Sequence, residues 1–470
     1  MANCPDIGKG NVQRVFVEIE DTPGVLQKPT ESGLVLPAGA CTMTQAPEWT
    51  DSEELSESLN VLNRFQSAFA PGEVELTMYF RPVVGSSNYA GAPQGHSLLY
   101  ALMGVSQLRD TVGGTLKEGI SSSASSLAVS GMTAGAVIPP IGSLKTGSER
   151  IKYTSHSTSV VSSATVHTFG GLSRGYFGTT AAAHDASAEI TLGARVYAQD
   201  VCRPTVSVWI EYDNGLVLFM EGCTVTECTI PLEQEGGQKV TFTLQGRRMG
   251  WCGRGAVASV SGAVVTLADA APFAAGAYVQ NLTAEDDNSG AGYAVTAVDD
   301  AAKTITLASA PSNWSASDVV GAFLPDATPR GEPAAAKSAR VYVDGALSGR
   351  RDGELTISTP TSFAAEIGQE YPGDNADGKR EISLSGSLYF RAADAARYGI
   401  LRKPSLGELP VMITLGDQPG GTLHVFLPRV QFDAPVMSTD GEFLTFDQGG
   451  TALGDPDERD GESAIYMEIL

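Results

Sequence analysis

Two stretches of this sequence, far apart along the chain, repeat one alternating pattern and end in the same triplet. They are PGEVELTMYFRP at 71–82 and REISLSGSLYFRA at 380–392. Alternation of apolar and polar residues with a period of two is typical of a strand that buries one face. The triplets are Tyr79, Phe80 and Arg81 in the first stretch and Tyr389, Phe390 and Arg391 in the second. The pattern therefore predicts two equivalent strands in one chain.

Three further pairs of phrases follow in the same order. The pairs are RPTVSVWI (203–210) with KPSLGELPVMI (403–413), NGLVLFMEGCTV (214–225) with GGTLHVFLPRVQF (420–432), and KVTFTLQGRRMG (239–250) with EFLTFDQGGTALG (442–454). Four phrases in a shared order favour an internal repeat over chance similarity of single strands. The copies differ in spacing because the first carries a Ser/Gly-rich insertion over about 107–202.

Length and composition limit the class of protein. A chain of 470 residues is long enough for about two to four domains. Its 42% hydrophobic and 18% charged residues are typical of a folded protein, and its 53 glycines suit short strands joined by tight turns. The net charge of −23 repels phosphate backbones, so sequence-specific binding of nucleic acid is not expected.

The sequence predicts that the protein does not insert into a membrane. It also predicts that the protein is made in a reducing cytoplasm. No run approaches the roughly 20 apolar residues that span a bilayer, and the first residues lack the apolar core of a secretory signal. The six cysteines are Cys4, Cys41, Cys202, Cys223, Cys228 and Cys252. They contain no C-x-x-C pair, which favours buried free thiols over disulfides or a metal site.

Periodicity and composition divide the chain into three regions. We expect a first unit over 1–252, a small all-β barrel or sandwich over 253–328 after a shift in composition, and a second, leaner unit over 329–470. The local elements expected in the first unit are a strand at 12–21, a polar loop or arm at 22–50, a helix at 53–70, a short helix at 95–105, and strands at 189–198, 205–213, 215–220 and 239–246. Residues 121–143 read as a near low-complexity linker.

A search for catalytic or ligand-binding patterns gives only weak candidates. GLSRG at 171–175 matches the nucleophile pattern G-x-S-x-G at Ser173, but the segment after it is a poor helix start, and a nucleophile elbow needs a helix there. AEDDNSG at 284–290 lacks the spacing of a calcium loop and is better read as a turn. GRRDGE at 349–354 and QGRRMG at 245–250 are basic points expected to pair with carboxylates.

The histidines likewise give no metal pattern. His96, His156, His167, His184 and His424 are the five in the chain. None forms an H-E-x-x-H motif or an i, i+4 pair, which a zinc site on a helix would need. The sequence therefore predicts no enzyme activity, no metal and no cofactor.

With these strands in view, the chain resembles the tail tube proteins (major tail proteins) of long-tailed bacteriophages. The resemblance lies in VQRVFVEIEDTPG with a polar arm after it, GEVELTMYFRP leading to HSLLYALMG, and the run VSVWIEYDNGLVLFMEGCTVTECTIPLEQEGGQKVTFTLQG. REISLSGSLYFRAADAARYGIL with TLHVFLPRVQFDAP looks like the same unit again. The similarity covers roughly 1–106, 189–252 and 339–470, and rests on pattern and order.

The resemblance implies a fold and a role. The fold is mainly β: two tandem β-sandwich or partial-barrel units of the tail-tube type, each with a short flanking helix, plus a small all-β inserted domain. Six units would close a ring, and two units per chain would let three chains close it. Stacked rings would form an acidic conduit through which the genome leaves the virion, with the Tyr-Phe-Arg strands as equivalent wall strands. The polar arm would be a contact between rings.

The same resemblance implies partners and a location. The chain would contact itself, the tape measure protein inside the tube, and terminator or baseplate proteins at its ends. Double-stranded DNA would pass without sequence-specific binding. The protein would be assembled in the host bacterial cytoplasm and reside in the virion tail. The alternatives are another virion structural protein (decoration, baseplate or tail-completion) or a β-rich adhesin or carbohydrate-binding protein.

Overall fold

The computed structural model consists almost entirely of antiparallel strands. It describes residues 9–54, 60–83, 92–108, 113–132, 138, 142–161, 164–176, 179–192, 195–344, 346–391, 399, 408–416, 422–440, 443–454 and 464–469. Strand accounts for 54% of the structure, and the described residues contain one α-helix. The predicted mainly β class is confirmed.

The first region begins with seven strands and the helix. These elements are β1 (Gln13–Ile19), β2 (Leu34–Val35), β3 (Thr42–Thr44), β4 (Pro47–Asp51), β5 (Arg64–Phe69), β6 (Gly72–Tyr79), α1 (His96–Met103) and β7 (Gly104–Leu108). The short helix expected at 95–105 is confirmed as α1. It ends where Gly104 adopts a left-handed conformation and its backbone N–H donates to the carbonyl of Tyr100, which is the usual helix stop.

Two expectations for this region are wrong. The helix predicted at 53–70 is instead half of a hairpin, because β5 pairs antiparallel with β4. Leu62 and Phe65 are 50% and 58% exposed, so their helical spacing does not reflect a buried face. Residues 22–50, predicted as an arm or loop, contain a 3₁₀ turn (Glu31–Gly33) and the strands β2, β3 and β4. Residues 55–59 lie outside the described part.

The Ser/Gly-rich insertion folds into a sheet of its own. Its strands are β8 (Gly113–Leu116), β9 (Ser126–Ser130), β10 (Gly142–Thr146), β11 (Glu149–Tyr153), β12 (Ser155–Val161), β13 (Ala164–Gly170) and β14 (Glu189–Leu192). They form a seven-stranded antiparallel sheet in the order β11-β10-β14-β8-β9-β13-β12. Reading 121–143 as a linker is therefore wrong for 126–130, which form β9, where small polar residues alternate with the buried Leu127 and Val129; residues 133–137 and 139–141 lie outside the described part.

The chain then returns to the main sheet and leaves it again for a barrel. The returning strands are β15 (Arg195–Gln199), β16 (Val206–Tyr212), β17 (Val217–Leu232), β18 (Lys239–Gly246) and β19 (Arg248–Cys252). The barrel strands are β20 (Arg254–Ser261), β21 (Val264–Leu267), β22 (Tyr278–Asn281), β23 (Tyr293–Asp299), β24 (Thr304–Leu307) and β25 (Val319–Ala322). These six close on themselves through pairing of β20 with β25.

The described part of the last region contains thirteen strands. After a 3₁₀ turn (Ala336–Ser338) come β26 (Arg340–Val343), β27 (Ala346–Ser348), β28 (Gly353–Ser358), β29 (Thr361–Phe363), β30 (Asn375–Asp377), β31 (Glu381–Ser385), β32 (Ser387–Tyr389), β33 (Leu409–Leu415), β34 (Leu423–Phe432), β35 (Val436–Asp440), β36 (Phe443–Asp447), β37 (Gly450–Ala452) and β38 (Tyr466–Ile469). A helix beside this second unit was also expected, and residues 392–398 and 400–407, where it would fall, lie outside the described part.

Strand pairing in the last region repeats that of the first. We call β1–β6, α1 and β16–β19 the first strand set, and β26–β38 the second. β1 lies between β2 and β16, as β26 lies between β27 and β33. The hairpin β4–β5 separates β3 from β6, as β29–β30 separates β28 from β31. β6 pairs with β18, as β31 and β32 pair with β37 and β36.

Registers as well as order agree between the two strand sets. The β16–β17 hairpin has a bulge between Val206 and Val208, and the β33–β34 hairpin has one between Leu409 and Val411. A bulge adds one residue to one strand and fixes the register on both sides of it. Its recurrence means that the sets can be compared residue by residue.

The barrel and the inserted sheet each cover one strand set. The barrel core is continuous with Phe16, Trp209 and Phe219 on the outer face of the first set. The register places Tyr342, Met412 and Phe426 at the equivalent positions of the second set. There the inserted sheet approaches, with the Lys152 ammonium 4.7 Å from the centre of the Tyr342 ring. The inner faces of both sets share one core.

Candidate assembly interface

The two strand sets meet edge to edge. The C-terminal half of β17 pairs antiparallel with β28 from Glu227 opposite Ser358 to Leu232 opposite Gly353. On the inner face, Ile230 lies opposite Leu355, and both side chains are at most 1% exposed. This junction therefore combines backbone hydrogen bonds with buried apolar side chains, and both stabilise the pairing of the two strands.

An ion pair ties the same junction from the side. The Arg203 guanidinium donates to both carboxylate oxygens of Asp377 at 2.6 and 2.7 Å, and to the carbonyl of Val225 at 2.6 Å. Arg203 is 1% exposed and Asp377 is 23% exposed. Burial raises the pKa of the Asp377 carboxyl, but hydrogen bonding to Arg203 and the charge of Arg203 outweigh it, so the pKa lies below its usual range.

The loop of the second hairpin, β29–β30, lies against the first strand set. The ring of Phe69 stacks on that of Tyr371 with centroids 4.9 Å apart, and the backbone N–H of Phe69 donates to the carbonyl of Glu370 at 2.8 Å. Arg247 Nε donates to the carbonyl of Pro372 at 3.2 Å. The junction thus has two parts, a paired edge and a hairpin loop seated on the neighbouring set.

The equivalent edge of the second strand set has no neighbour among the described residues. Thr241 of the first set and Asp447 of the second are equivalent. Each lies two residues after the residue that pairs with the triplet tyrosine of its own set. Their own partners, Thr229 in β17 and Val436 in β35, are therefore equivalent as well. β35 pairs only with β36 in the described structure, so the edge that β28 covers in the first set is open in the second.

Exposure along this open edge is high for apolar residues. Met437, the equivalent of Ile230, is 42% exposed, and Val436 is 66% exposed. On the adjoining strand, Phe443 and Leu444 are 62% and 43% exposed. Clustered exposed apolar residues on an unpaired edge are typical of a contact surface.

The outer edge of β3 is the second open edge. Glu75 of β6 and Ser385 of β31 are equivalent, because each lies four residues before the triplet tyrosine of its set. Their pairing partners, Thr42 of β3 and Glu354 of β28, are therefore equivalent as well. β28 has β17 on its other side, whereas β3 pairs only with β6 in the described structure. One chain thus presents both halves of the contact that it makes internally.

The triplet residues lie at equivalent register positions with different surroundings. Tyr79 lies opposite Lys239 and Tyr389 opposite Thr445. The ring of Tyr389 packs on Phe443 with centroids 5.5 Å apart, whereas a Cβ on Gly237, the equivalent position in the first set, would lie 2.8 Å from the Tyr79 ring. That these residues belong to equivalent wall strands stays a prediction.

The second and third positions of the triplet differ more. Phe80 is 1% exposed, while Phe390 is only half-buried and packs edge-on against Phe446, with centroids 5.9 Å apart. Arg81 Nη1 donates to the carbonyl of Gly331 at 3.0 Å, and the Arg391 guanidinium lies beside Gly349. Arg81 therefore holds a backbone segment at the end of its strand.

The weak catalytic candidates fall into structural roles. Ser173 makes a backbone bridge with Lys152 inside the inserted sheet. The next residue, Arg174, donates to both carboxylate oxygens of the buried Glu149 at 2.8 Å. His184 contacts the same carboxylate at 2.7 Å. Although burial opposes it, hydrogen bonding lowers the pKa of Glu149 to about 2.

The remaining histidines are buried or paired. His96 Nδ1 lies 2.7 Å from the Tyr197 hydroxyl, and burial, with nearby arginines, lowers its pKa to about 4. Burial, with Lys152 and Arg150 nearby, lowers the pKa of His424 to about 3. His156 and His167 meet on adjacent strands, 3.1 Å apart, a contact that their spacing in sequence did not predict. Within the described ranges, no three His, Cys, Asp or Glu residues gather as a metal site would need.

The acidic and basic points also make local contacts. Asp286, in AEDDNSG, accepts from the Tyr293 hydroxyl at 3.0 Å, and Asp287 accepts from the backbone of Gly290. Arg248, in QGRRMG, pairs with Glu221 at 2.8 Å. Of the cysteines that the structure describes, four are buried free thiols and Cys202 is exposed; Cys4 lies outside the described part. No helix in the part described is long and apolar enough to cross a membrane.

Sequence reasoning missed one pair of equivalent strands. Arg14-Val-Phe-Val in β1 and Arg340-Val-Tyr-Val in β26 occupy the same place beside β16 and β33. The near identity of the four residues was a usable signal. Searching for similar phrases near the start of each region would have extended the repeat to its first strand.

Comparison with known proteins adds no relative. No protein-family model matches the chain, and no curated protein matches its sequence.

Proposed function

We propose that this chain is a structural virion protein, the tail tube protein of a long-tailed bacteriophage, in which three chains close a ring of six strand sets. The observation that carries the proposal is the edge-to-edge junction of two equivalent strand sets within one chain, whose other two corresponding edges have no partner strand among the described residues. The resemblance in strand phrases named the family, and the junction supplies a physical reason for assembly.

The contact between the sets is of the head-to-tail kind. It uses the C-terminal half of β17 on one set and β28 on the other, which are different parts of the repeating unit. A head-to-tail contact repeated between chains must either close into a ring or continue as a filament. Two sets per chain allow a ring of six sets to close from three chains.

Charge supports a conduit for DNA. The net charge of −23 makes the surface repel phosphate groups, so a duplex could pass without the counterion release that accompanies binding to Lys and Arg. Contacts with a tape measure protein in the tube, with terminator or baseplate proteins at its ends, and a place in the virion tail belong to the same proposal. The predicted units 1–252, 253–328 and 329–470 remain its working division of the chain.

Electron microscopy of the purified protein tests the proposal. The expected result is rings or tubes with six peripheral lobes, in which the ring has three times the 49.0 kDa mass of the chain. Rings of six chains would contradict the account of the repeat. Monomers alone, both in solution and at the high concentrations that favour assembly, would reject a tube protein.

Copy number in virions separates this function from the alternatives. A tube protein is present in many copies along the tail, whereas a baseplate or tail-completion protein is present in few. Quantitative mass spectrometry of virions, normalised to the capsid protein, measures this directly. A glycan-binding screen covers the adhesin alternative, and binding there without assembly would overturn the proposal.

A further inference from the structure

We infer that β35 of one chain pairs antiparallel with β3 of a second copy of the chain, with Val436 opposite Thr44. The inference rests on the proposed function, because it names the strand with which the ring-forming edge would pair and the register of that pairing. It follows from the internal junction, where Thr229 lies opposite Thr356. Val436 is the equivalent of Thr229, and Thr44 is the equivalent of Thr356.

The apolar side chains at the two open edges match. In the internal junction Ile230 meets Leu355 on the inner face. The same register brings Met437, which is 42% exposed, opposite Met43, which lies at the rim of the core and is 6% exposed. Two flexible thioether side chains would fill the place of a branched pair, and Met adapts well to such irregular contacts.

A side chain sets the length of the pairing. Gln13 covers Cys41 like a short strand: its amide accepts from the Cys41 N–H at 2.8 Å and donates to the Cys41 carbonyl at 3.1 Å. In the internal junction the residue equivalent to Cys41 is Gly353, which pairs with Leu232. The pairing between chains therefore ends with Ser438 opposite Thr42, one step before Cys41.

The backbone alternation of an antiparallel ladder decides which pairs can be cross-linked. The N–H of Thr359 donates to the carbonyl of Thr226 across the internal junction, so every second residue of β28 from there exchanges hydrogen bonds with β17. Thr356 is not in that series, and its equivalent Thr44 therefore belongs to a non-hydrogen-bonded pair with Val436. Cα atoms in such pairs are about 4.5 Å apart, which is within the range for a disulfide.

A cleft on the second strand set fits the second part of the contact. Where the loop of β29–β30 rests on Phe69 and Arg247, the equivalent positions of the second set are Lys379 and Leu453. Both line an open cleft of about 660 Å³ that also includes Arg380. The hairpin β4–β5 of the next chain would lie here, as β29–β30 does within the chain.

Charge and exposure agree with that occupant. β4 and the residues after it are acidic, with Glu48, Asp51 and Glu53 in sequence, and they would face the basic residues of the cleft. Trp49 of β4 is 49% exposed, so it would lose contact with water on being covered, which favours binding of an aromatic side chain. Paired edge and hairpin together reproduce both parts of the internal junction.

Disulfide trapping tests the register. The variant Thr44→Cys with Val436→Cys is made in a Cys4→Ser, Cys202→Ser background, since Cys202 is exposed; burial raises the pKa of the Cys41 thiol to about 12, which keeps it unreactive. Assemblies are oxidised mildly and run on non-reducing gels. We expect most of the protein to run as covalent trimers, with dimers as the intermediate.

Two control variants define the result. Thr229→Cys with Thr356→Cys places the same pair inside one chain and should form a disulfide without any change in mass. Thr42→Cys with Val436→Cys is out of register by two residues and should give several-fold less trimer. Because Thr44 and Val436 are exposed, melting temperatures of the reduced variants should match that of the parent.

The outcomes separate the register from the function. Rings or tubes without trapping of Thr44→Cys/Val436→Cys, while the internal control is trapped, would overturn the register and leave the tube proposal standing. Trapped chains that never form rings or tubes would support the register and reject the tube. A chain that stays monomeric and untrapped would overturn both.

Discussion

The same strand edge occurs twice in this molecule and meets two different environments. In the first strand set it lies under β28, and Ile230 is 1% exposed; in the second no described strand covers it, and the equivalent Met437 is 42% exposed. The pairing register is the same in both sets, including the bulge in the hairpin that leads to each edge. The comparison teaches that burial of this edge is a property of the neighbour and not of the fold of the unit.

The largest effect is expected when a carboxylate is placed at each of the two positions, because one is buried and the other is exposed. Ile230→Asp should destabilise the fold by about 4 kcal/mol or more, because it buries an unpaired charge in the core. Met437→Asp should leave the melting temperature of the isolated chain within a few degrees, since the side chain is already in contact with water. Thermal unfolding followed by circular dichroism measures both.

Met437→Asp should affect assembly strongly, although it affects the stability of the isolated chain little. Met437→Asp is expected to abolish rings or tubes while the chain stays folded, because the edge can no longer be covered. Met437→Leu is the matched control and should assemble. Equal destabilisation by both aspartates would mean that the second edge is already buried in the free chain.

The next largest effect is expected from removing the buried ion pair at the junction. Arg203→Met should lower the stability of the fold by about 2–4 kcal/mol, because it leaves the Asp377 carboxylate partly buried without its partner. The control is Arg429→Met, which breaks a more exposed ion pair with Glu408 in the second set and should change stability less. Urea unfolding of the three proteins gives the difference, and similar losses in both variants would count against a special role for the junction.

The same ion pair predicts a dependence on pH. The pKa of Asp377 is lowered in the folded protein, so its stabilising effect is fully present above the pKa of an unfolded Asp, about 3.9. It is lost as the pH falls from there through the folded pKa. The gap in stability between the parent and Arg203→Met should therefore be constant near neutral pH and narrow below about pH 4, as melting curves across pH would measure.

A packing exchange between the sets gives a smaller effect. In the first set Met220 fills the space beside Gly72 and Gly246, where an added Cβ would lie about 2.4 and 2.5 Å from its side chain. In the second set the equivalent residues are Leu427, Ile382 and Ala452. Gly246→Ala alone should cost about 1–3 kcal/mol through overpacking.

The compensating change comes from the second set. Met220→Leu should recover part of the loss in Gly246→Ala, giving a coupling of about 1 kcal/mol in a double-mutant cycle. Unfolding of the two single variants and the double variant measures it. Strict additivity would show that Met220 and Gly246 do not share one space.

The smallest expected effect concerns the triplet tyrosines. Phe443→Gly makes the second set resemble the first, in which Gly237 lies beside Tyr79. It removes an aromatic contact at a position that is 62% exposed, so the isolated chain should lose at most about 1 kcal/mol. Thermal unfolding checks this, and a larger loss would indicate that Phe443 is part of the core.

Sequence patterns predicted the repeated strands because period two reports burial of one face, as in β6 and β18. They failed where the same spacing had another cause. Leu62 and Phe65 repeat like a helix but are exposed on the β4–β5 hairpin. Serine-rich composition also hid the inserted sheet, since it needs only a few buried residues such as Leu127 and Val129.

The candidate interface was beyond sequence reasoning for a physical reason. A strand pattern shows which face of a strand is buried, but it does not show which edge has a partner. Ile230 and Met437 are both apolar residues in alternating strands, and only the pairing of β17 with β28 distinguishes them. The four matched phrases predicted the equivalence of the sets, while the junction between them required the structure.

The position of β38 has a consequence for how the chain folds. β38 lies between β34 and β15, so Arg195 pairs with Ile469 across more than half of the sequence. Contacts of such long range form late, because the loop must close before they return any energy. A ribosome could therefore release the early segments into partial structures, but the main sheet would stay incomplete until 466–469 had emerged.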